Sequence, residues 1–259
     1  MATYNKRGYK QPKPKAEKEE LLEEQVRINE QDSETAEVFN TLDDNASKVG
    51  GWFSRNSKAI FYGIGGVALV AAGWAGYNAF VVEPKQEEAA NELFQAQNYF
   101  AEALNSQSAD SLYNLVLKGG EGKMGVLNVI DSYKGTDAEN LAQYYAGTSY
   151  YKLKDYKKAI EHLSNFQADD EITKSMSLGM IGDAFSELKQ YDNALEYYTK
   201  AAGISRNSYT APRWAFKAGI VALELNKKAE ALKFFTDIEE NYKSSVEAMN
   251  IDVYIGLAQ

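Results

Sequence analysis

Few residues in this chain have side chains suited to catalysis or metal binding. There is one histidine, His162, and no cysteine. Without cysteine there is no disulfide, no thiolate metal site, no thiol nucleophile and no lipid linked through sulfur. A Ser-His-Asp triad or a histidine metal centre would have to use His162, which stands beside Glu161 in a helical stretch and reads as a solvated or groove-edge side chain. Asp169-Asp170-Glu171 offers acids with no matching ligand set nearby, so it reads as a turn or helix start, not a cation site. Gly119-Gly120-Glu121-Gly122-Lys123 has the glycines of a phosphate loop but neither its spacing, its following Ser or Thr, nor a preceding strand. No active site, metal or cofactor is expected, and the chain reads as non-enzymatic. Its net charge of −9 disfavours binding to phosphate backbones. With 259 residues, 44% apolar and 25% charged, the composition is that of an ordinary folded protein.

One segment sets the organisation. Residues 59–82, AIFYGIGGVALVAAGWAGYNAFVV, carry no charge, and Asn78 is the one strongly polar side chain among them. As a helix this run rises about 36 Å, enough to cross a hydrocarbon core of about 30 Å with some tilt. Tyr62 and Tyr77 lie toward its two ends, where interfacial aromatics gather. A buried core helix rarely holds so long an uncharged run, and a cleaved leader would begin much nearer the N-terminus. Lys48, Arg55 and Lys58 precede the run, whereas Lys85 alone follows it closely, among Glu83, Glu87, Glu88 and Glu92. This asymmetry places the N-terminus in the cytoplasm. The reading is a cytoplasmic tail at 1–58, largely disordered, a transmembrane helix at 59–82, and an extracytoplasmic part at 83–259. The tail carries ten basic and eleven acidic side chains, net −1, and the last part eighteen and twenty-six, net −8.

The tail opens with Lys6, Arg7, Lys10, Lys13, Lys15 and Lys18, spaced by Tyr4, Tyr9, Pro12 and Pro14. From residue 19 to 44 the sign reverses, with Arg27 the one base. Two readings stand: a solvated tail with a short helix near 16–30, or a basic arm at 4–18 that touches anionic lipid or the ribosome.

Beyond the apolar run, helices are expected over 83–104, with Leu93, Phe94, Phe100 and Leu104 on its apolar face, then over 108–117, capped by Ser108, and over 124–133. From residue 140 a pattern repeats. Gly147, Tyr150, Tyr156, Ala159 and Leu163 are matched by Gly182, Phe185, Tyr191, Ala194 and Tyr198 at an offset of 35. Gly219, Ala222, Lys228, Ala231 and Phe235 follow at 37. A half unit ends in Tyr254-Ile255-Gly256. KDYKKAIEHL, KQYDNALEYY and NKKAEALKFF mark the turn and second helix of each unit. This spacing resembles the tetratricopeptide repeat. The usual proline at the end of each unit is missing, with Glu171, Arg206 and Lys243 in its place. The resemblance implies an all-α fold: a single transmembrane helix, connecting helices and a degenerate repeat at 83–138, then a tetratricopeptide α-solenoid at 139–259. In each unit the small residue is expected to pair with an alanine of the second helix: Gly147 with Ala159, Gly182 with Ala194, Gly219 with Ala231.

The resemblance also implies a concave groove lined by the first helix of each unit. Carried onto this sequence it gives Leu141, Tyr144, Thr148 and Tyr151, then Met176, Gly179, Asp183 and Ser186, then Arg213, Phe216, Ile220 and Leu223. Such a surface, mainly aromatic and aliphatic with one acid and one base, suits an apolar or amphipathic segment of a partner. Either it is open throughout, or the C-terminal helix covers its Ile220–Leu223 half. On the apolar helix Gly65, Ala68, Ala72, Gly76 and Ala79 form a ridge of small residues suited to close helix packing in lipid.

The whole layout, with NLAQYYAGTSYYKLKDYKKAIEHLSNF at 140–166, resembles the YfgM-like proteins, ancillary subunits of the bacterial SecYEG translocon, in their Bacteroidetes versions. The resemblance covers about residues 50–259. It implies an inner-membrane protein with a periplasmic repeat domain, whose partners are SecYEG, secretory polypeptides and a PpiD-like chaperone. Two other readings keep the repeats: a scaffold for cell-wall or outer-membrane biogenesis, and a receptor of reversed topology facing the cytosol.

Overall fold

The structure, a computed structural model, describes residues 34–259 except 107, 108 and 205, with side chains at Thr41 and from 49 onward. The basic arm at 4–18, the short helix expected near 16–30 and the Ser108 cap lie outside the described residues. The chain divides into two units, Met1–Ala75 and Gly76–Gln259.

Helix α1 runs Glu34–Tyr77, all but its last two residues in the first unit. It therefore starts well before residue 59, inside the stretch read as a largely disordered tail. The physical reason is the absence of any proline between Pro14 and Pro84, so nothing stops a helix from propagating back out of the apolar run. Polar side chains on its first described turns return to the backbone: Asn56 Nδ2 donates to the Trp52 carbonyl at 2.9 Å and Ser54 Oγ to that of Gly51 at 3.1 Å. Among the described residues one helical stretch, Val49–Asn105, is long and apolar enough to cross a membrane. None of its most apolar window is buried. Phe61, Leu69, Val70 and Trp74 are all exposed. Gly65, Ala68 and Ala72 share one side of α1, and a Cβ on Gly65 or Gly76 would have no atom within 4 Å.

The second unit opens with a change of helical register. Asn78–Val82 is one π turn, and the Glu83 N–H bonds to the Asn78 carbonyl. Pro84, at the start of α2 (Glu83–Asn105), has no N–H to give, so the ladder slips by one residue ahead of it. Ala79 falls inside this turn, so the regular spacing of the small-residue ridge ends at Gly76.

Helix α3 (Asp110–Lys118) leads into strands β1 (Gly119–Gly120) and β2 (Lys123–Met124), an antiparallel ladder pairing Gly119 with Met124 and Gly120 with Lys123. Glu121 and Gly122 both take φ > 0, as a two-residue hairpin turn demands. This ladder departs from the all-α expectation, and it is what the glycine run encodes. Helix α4 (Val126–Ser132) follows. Leu93, Phe100, Tyr113, Val116, Val126 and Val129 form a first core with Ala138, Ala142 and Ala146 of the next helix, α5 (Asp137–Lys152). That core crosses the boundary drawn at 138. Phe94 and Leu104, assigned to the apolar face of α2, are exposed instead, because that face is carried by Ala89, Leu93, Ala96, Phe100 and Ala103.

Three helical hairpins follow: α5 with α6 (Tyr156–Asn165), α7 (Glu171–Glu187) with α8 (Tyr191–Ile204), and α9 (Ala211–Glu224) with α10 (Lys228–Asn241). Helix α11 (Ile251–Ala258) comes last. Each hairpin turns in the same way. Lys154, Lys189 and Asn226 adopt φ of 64°, 58° and 58°. The next N–H in each case reaches back to the carbonyl of Tyr150, Phe185 or Ala222, and the left-handed residue itself bonds to Tyr151, Ser186 or Leu223. These are Schellman closures. They fix where the second helix starts, and so where it meets the first.

The meeting point is a close approach of a glycine to a large side chain. A Cβ on Gly147 would lie 2.6 Å from Leu163 Cγ, and one on Gly182 2.7 Å from Tyr198 Cδ1. On Gly219 it would press harder still on Phe235. The partner is thus found one helical turn beyond the alanine expected from the sequence. Ala159, Ala194 and Ala231 are fully buried in their own right. Gly256 has open space around it.

The unit ends do without their usual proline. Asp170 caps α7 by accepting the Thr173 N–H at 2.8 Å, while Asn140 and Gln167 exchange bonds of 2.7 and 2.8 Å. Before α9, Asn207 Oδ1 accepts from Tyr209 and Thr210, and Pro212 stands in the first turn.

Candidate partner groove

A cavity of about 390 Å³ opens where the first helices of the hairpins come together. Tyr151 supplies one side, Asp183, Ser186 and Glu187 the next, Phe216, Lys217, Ile220 and Val221 the third, and Tyr198 reaches in from α8. At its centre Asp183, 13% exposed, accepts two bonds on the same oxygen. Tyr198 OH donates to Oδ1 at 2.6 Å and Lys217 Nζ donates to it at 2.5 Å. Lys217 also lies over the rings of Trp214, at 5.1 Å, and Tyr198, at 5.8 Å. Burial, then the charge of Asp183, holds the Tyr198 phenol neutral far above its ordinary range. Burial, with Asp183 and Glu187 beside it and Arg213 opposing them, leaves Tyr151 pushed up to about 12. Tyr156 donates to Glu187 Oε2 at 3.3 Å and packs edge-on against Tyr151.

Of the groove residues expected from the sequence, Tyr151, Asp183 and Phe216 line this cavity, with Ser186 and Ile220. Others do not. Thr148 is closed inside the helix packing with its Oγ1 unpaired. Gly179 lies directly under the Trp214 indole. Tyr144 packs on Phe166 at 5.2 Å, Met176 and Leu223 pack against a second core that includes Leu195, Tyr198, Trp214, Ala218 and Phe235, Leu141 packs against the first, and Arg213 stacks over Trp214 at 4.9 Å. The base that meets the acid is Lys217, not Arg213. Lys217, Tyr198, Val221 and Glu187 escaped sequence reasoning. Lys217 sits one residue off the carried-over groove positions and reaches the cavity by its length. Tyr198 comes from a second helix, which that scheme leaves out. The C-terminal helix covers one edge only: Tyr254 meets Phe216 edge-on at 4.8 Å, while Ile220 still faces the cavity.

The residues first considered for chemistry have other tasks. Asp170 is the α7 cap, and its bonds from Thr173 hold its carboxyl below the usual range. His162 is half-buried. It stacks on Tyr150 at 5.4 Å, and its Nδ1 lies 2.8 Å from Gln143 Oε1, whose amide donates to Glu139. Among the described residues no three His, Asp or Glu side chains form a metal-binding group.

Burial lowers the His162 pKa, against a smaller opposite pull from Glu161. Its neutral form is therefore favoured by folding. That stabilising contribution is full above about pH 6.5, the unfolded value, and is lost as pH falls toward the folded value. Thermal melts from pH 7 to 5 should show the wild-type Tm falling more steeply than that of His162→Phe, which keeps a ring against Tyr150. Parallel curves would refute the assignment.

Residues 141–170 and 177–208 match two tetratricopeptide repeat families. The chain carries tetratricopeptide repeats. The two matches coincide with the hairpins α5–α6 and α7–α8, and the α9–α10 hairpin repeats their glycine contact and left-handed turn. No curated protein matches the chain. Repeats of this kind are surfaces for protein–protein contact, and the cavity described above lies on them.

Proposed function

We propose that this protein is a non-enzymatic, membrane-anchored adaptor whose tetratricopeptide groove receives polypeptide segments at the periplasmic face of a bacterial inner membrane. One observation carries the reading: the same chain holds an apolar helix that its own fold leaves uncovered and a repeat groove with an apolar lining. Exposed apolar surface on this scale needs a solvent other than water. The resemblance to YfgM-like proteins supports the SecYEG translocon as the assembly served, with a PpiD-like chaperone and emerging secretory chains as further partners. The span would dock beside the channel, and the repeats would raise the local concentration of groove at its exit.

Affinity purification in mild detergent tests this. SecY and a PpiD-like chaperone should co-purify with the wild-type chain. Ala72→Leu combined with Gly76→Leu should reduce their recovery several-fold, because bulk on that side of α1 blocks close helix contact. Recovery of cell-wall enzymes without SecY would favour the envelope-scaffold reading. Protease added to spheroplasts should digest the repeats, and their protection would reverse the topology.

A further inference from the structure

The polar centre of the groove has a feature that the adaptor reading does not use. Both bonds to Asp183 converge on Oδ1. Oδ2 makes no hydrogen bond among the described residues and is not enclosed. A lysine ammonium has three hydrogens, and the bond to Asp183 uses one of those on Lys217. The partly buried pair therefore presents an acceptor without a hydrogen bond next to ammonium hydrogens without one, while the charges of the two side chains cancel. Around it stand Tyr151, Phe216, Ile220 and Val221, which carry no charge, and Glu187, which accepts from Tyr156.

We infer that the Asp183–Lys217 pair is a clamp for the main chain of an extended polypeptide segment. The inference rests on the adaptor reading and names what its groove recognises. In an extended chain the N–H and C=O of one residue point to the same side, as in the narrow pairs of an antiparallel ladder. That N–H would donate to Asp183 Oδ2, and that C=O would accept from Lys217 Nζ. Side chains of the bound segment, alternating about this residue, would then meet the apolar walls. Charge complementarity selects the occupant. A C-terminal carboxylate would find the lysine already neutralised and would face Asp183 as a like charge. A lysine or arginine of the partner would find Asp183 already paired and Lys217 beside it as a like charge, leaving Glu187, which accepts from Tyr156, as its one acid on the cavity wall. A neutral amide dipole with large apolar neighbours meets neither objection. The clamp reads the backbone and leaves sequence preference to the walls, which suits an adaptor with many clients.

The test uses the full chain in detergent micelles and a set of fluorescent capped peptides, acetyl-Ala-Ser-X-Ala-Z-Ser-Ala-amide, with X and Z drawn from Leu, Phe, Tyr, Val and Ala. Anisotropy reports binding. Members with large apolar X and Z should bind, and methylating the amide nitrogen at one central position should weaken binding about ten- to hundredfold, with little effect at the ends. Asp183→Asn should shift preference toward the same peptides with a free C-terminal carboxylate, because it releases the Lys217 charge. A flat methylation scan with binding intact overturns the clamp and leaves the groove standing. A wild-type preference for the free carboxylate also overturns it. Binding by no member of the set removes the adaptor groove together with the clamp. The methylation scan is made on the wild-type chain, so it does not depend on how any variant folds.

Discussion

Trp214→Ala should destabilise the repeat unit by about 3–5 kcal/mol, the range for deleting a large aromatic from a closed core. Trp214 is fully buried in the second core and lies parallel to Tyr198 at 6.0 Å. Arg213 and Lys217 sit against its faces, and Gly179 of α7 comes so close that a methyl there would fall within the indole. Gly179→Ala is therefore destabilising too. Overpacking costs about 1–3 kcal/mol, and better helix propensity returns about 1 kcal/mol at most. The two effects are coupled. With the indole gone, the added methyl has room, so Gly179→Ala made on Trp214→Ala should be neutral or stabilising by up to about 1 kcal/mol. Urea unfolding of the four chains completes the double-mutant cycle. Additive losses would mean that the glycine is needed for something other than the ring. The Trp214 indole N–H has no partner among the described residues, so Trp214→Phe removes an orphan donor along with some volume. It should cost much less than the alanine change.

That contact also shows what a sequence reading can and cannot see. The repeat period was legible because the same physical demand recurs: a small residue where two helices touch and a large one to fill the gap. Gly147, Gly182 and Gly219 announce it directly. The choice of partner was less legible. Alanines at fixed places mark the second helix, but Leu163, Tyr198 and Phe235, one turn further on, make the contact, because a helical side chain leans over the turn before it. Gly179 looked like a groove position by spacing alone. Only the size of Trp214, more than thirty residues later, turns that position into core.

The turns and the polar centre were hidden for different reasons. Lysine at φ near 60° is uncommon enough that no propensity argument selects Lys154 or Lys189, whereas asparagine, which takes this conformation more readily, makes Asn226 the most legible of the three turns. Unit ends that lack the usual proline are held by Asn207 and by the Asn140–Gln167 exchange, contacts between side chain and backbone that have no periodic trace. Asp183 was recognised as the acid of the groove. Its partner was missed because pairing depends on where a long flexible side chain on the neighbouring repeat comes to rest, and Arg213 and Lys217 both begin on α9. The upstream reach of α1 was missed for a simpler reason: the end of an apolar run is not the end of a helix.

The largest effect expected in the first unit concerns the proposed anchor. The regular part of the apolar run, 59–77, rises about 28 Å, close to one hydrocarbon thickness, and the π turn begins just past it. Val67 and Val70 stand near the middle of that length, on adjoining turns, and both are exposed. An arginine at the centre of a span costs about 2.5–3.5 kcal/mol on insertion scales, so Val67→Arg with Val70→Arg should oppose insertion by about 5–7 kcal/mol. Carbonate-washed membranes should retain the wild-type chain and lose most of the double variant. The thermal melt of the repeats should be unchanged, since neither valine is a member of either packed core. Arginines at Trp52 and Phe53, nearer the expected interface, should cost far less, because their charges can reach the headgroups. Depth dependence of this kind separates a lipid-spanning helix from one that is covered by a protein partner in water, where a charge is disfavoured according to burial in the interface and not according to distance from the middle of the run. Equal losses at 52–53 and 67–70, or release of the wild-type chain by carbonate, would remove the anchor and with it the placement of the groove at a membrane.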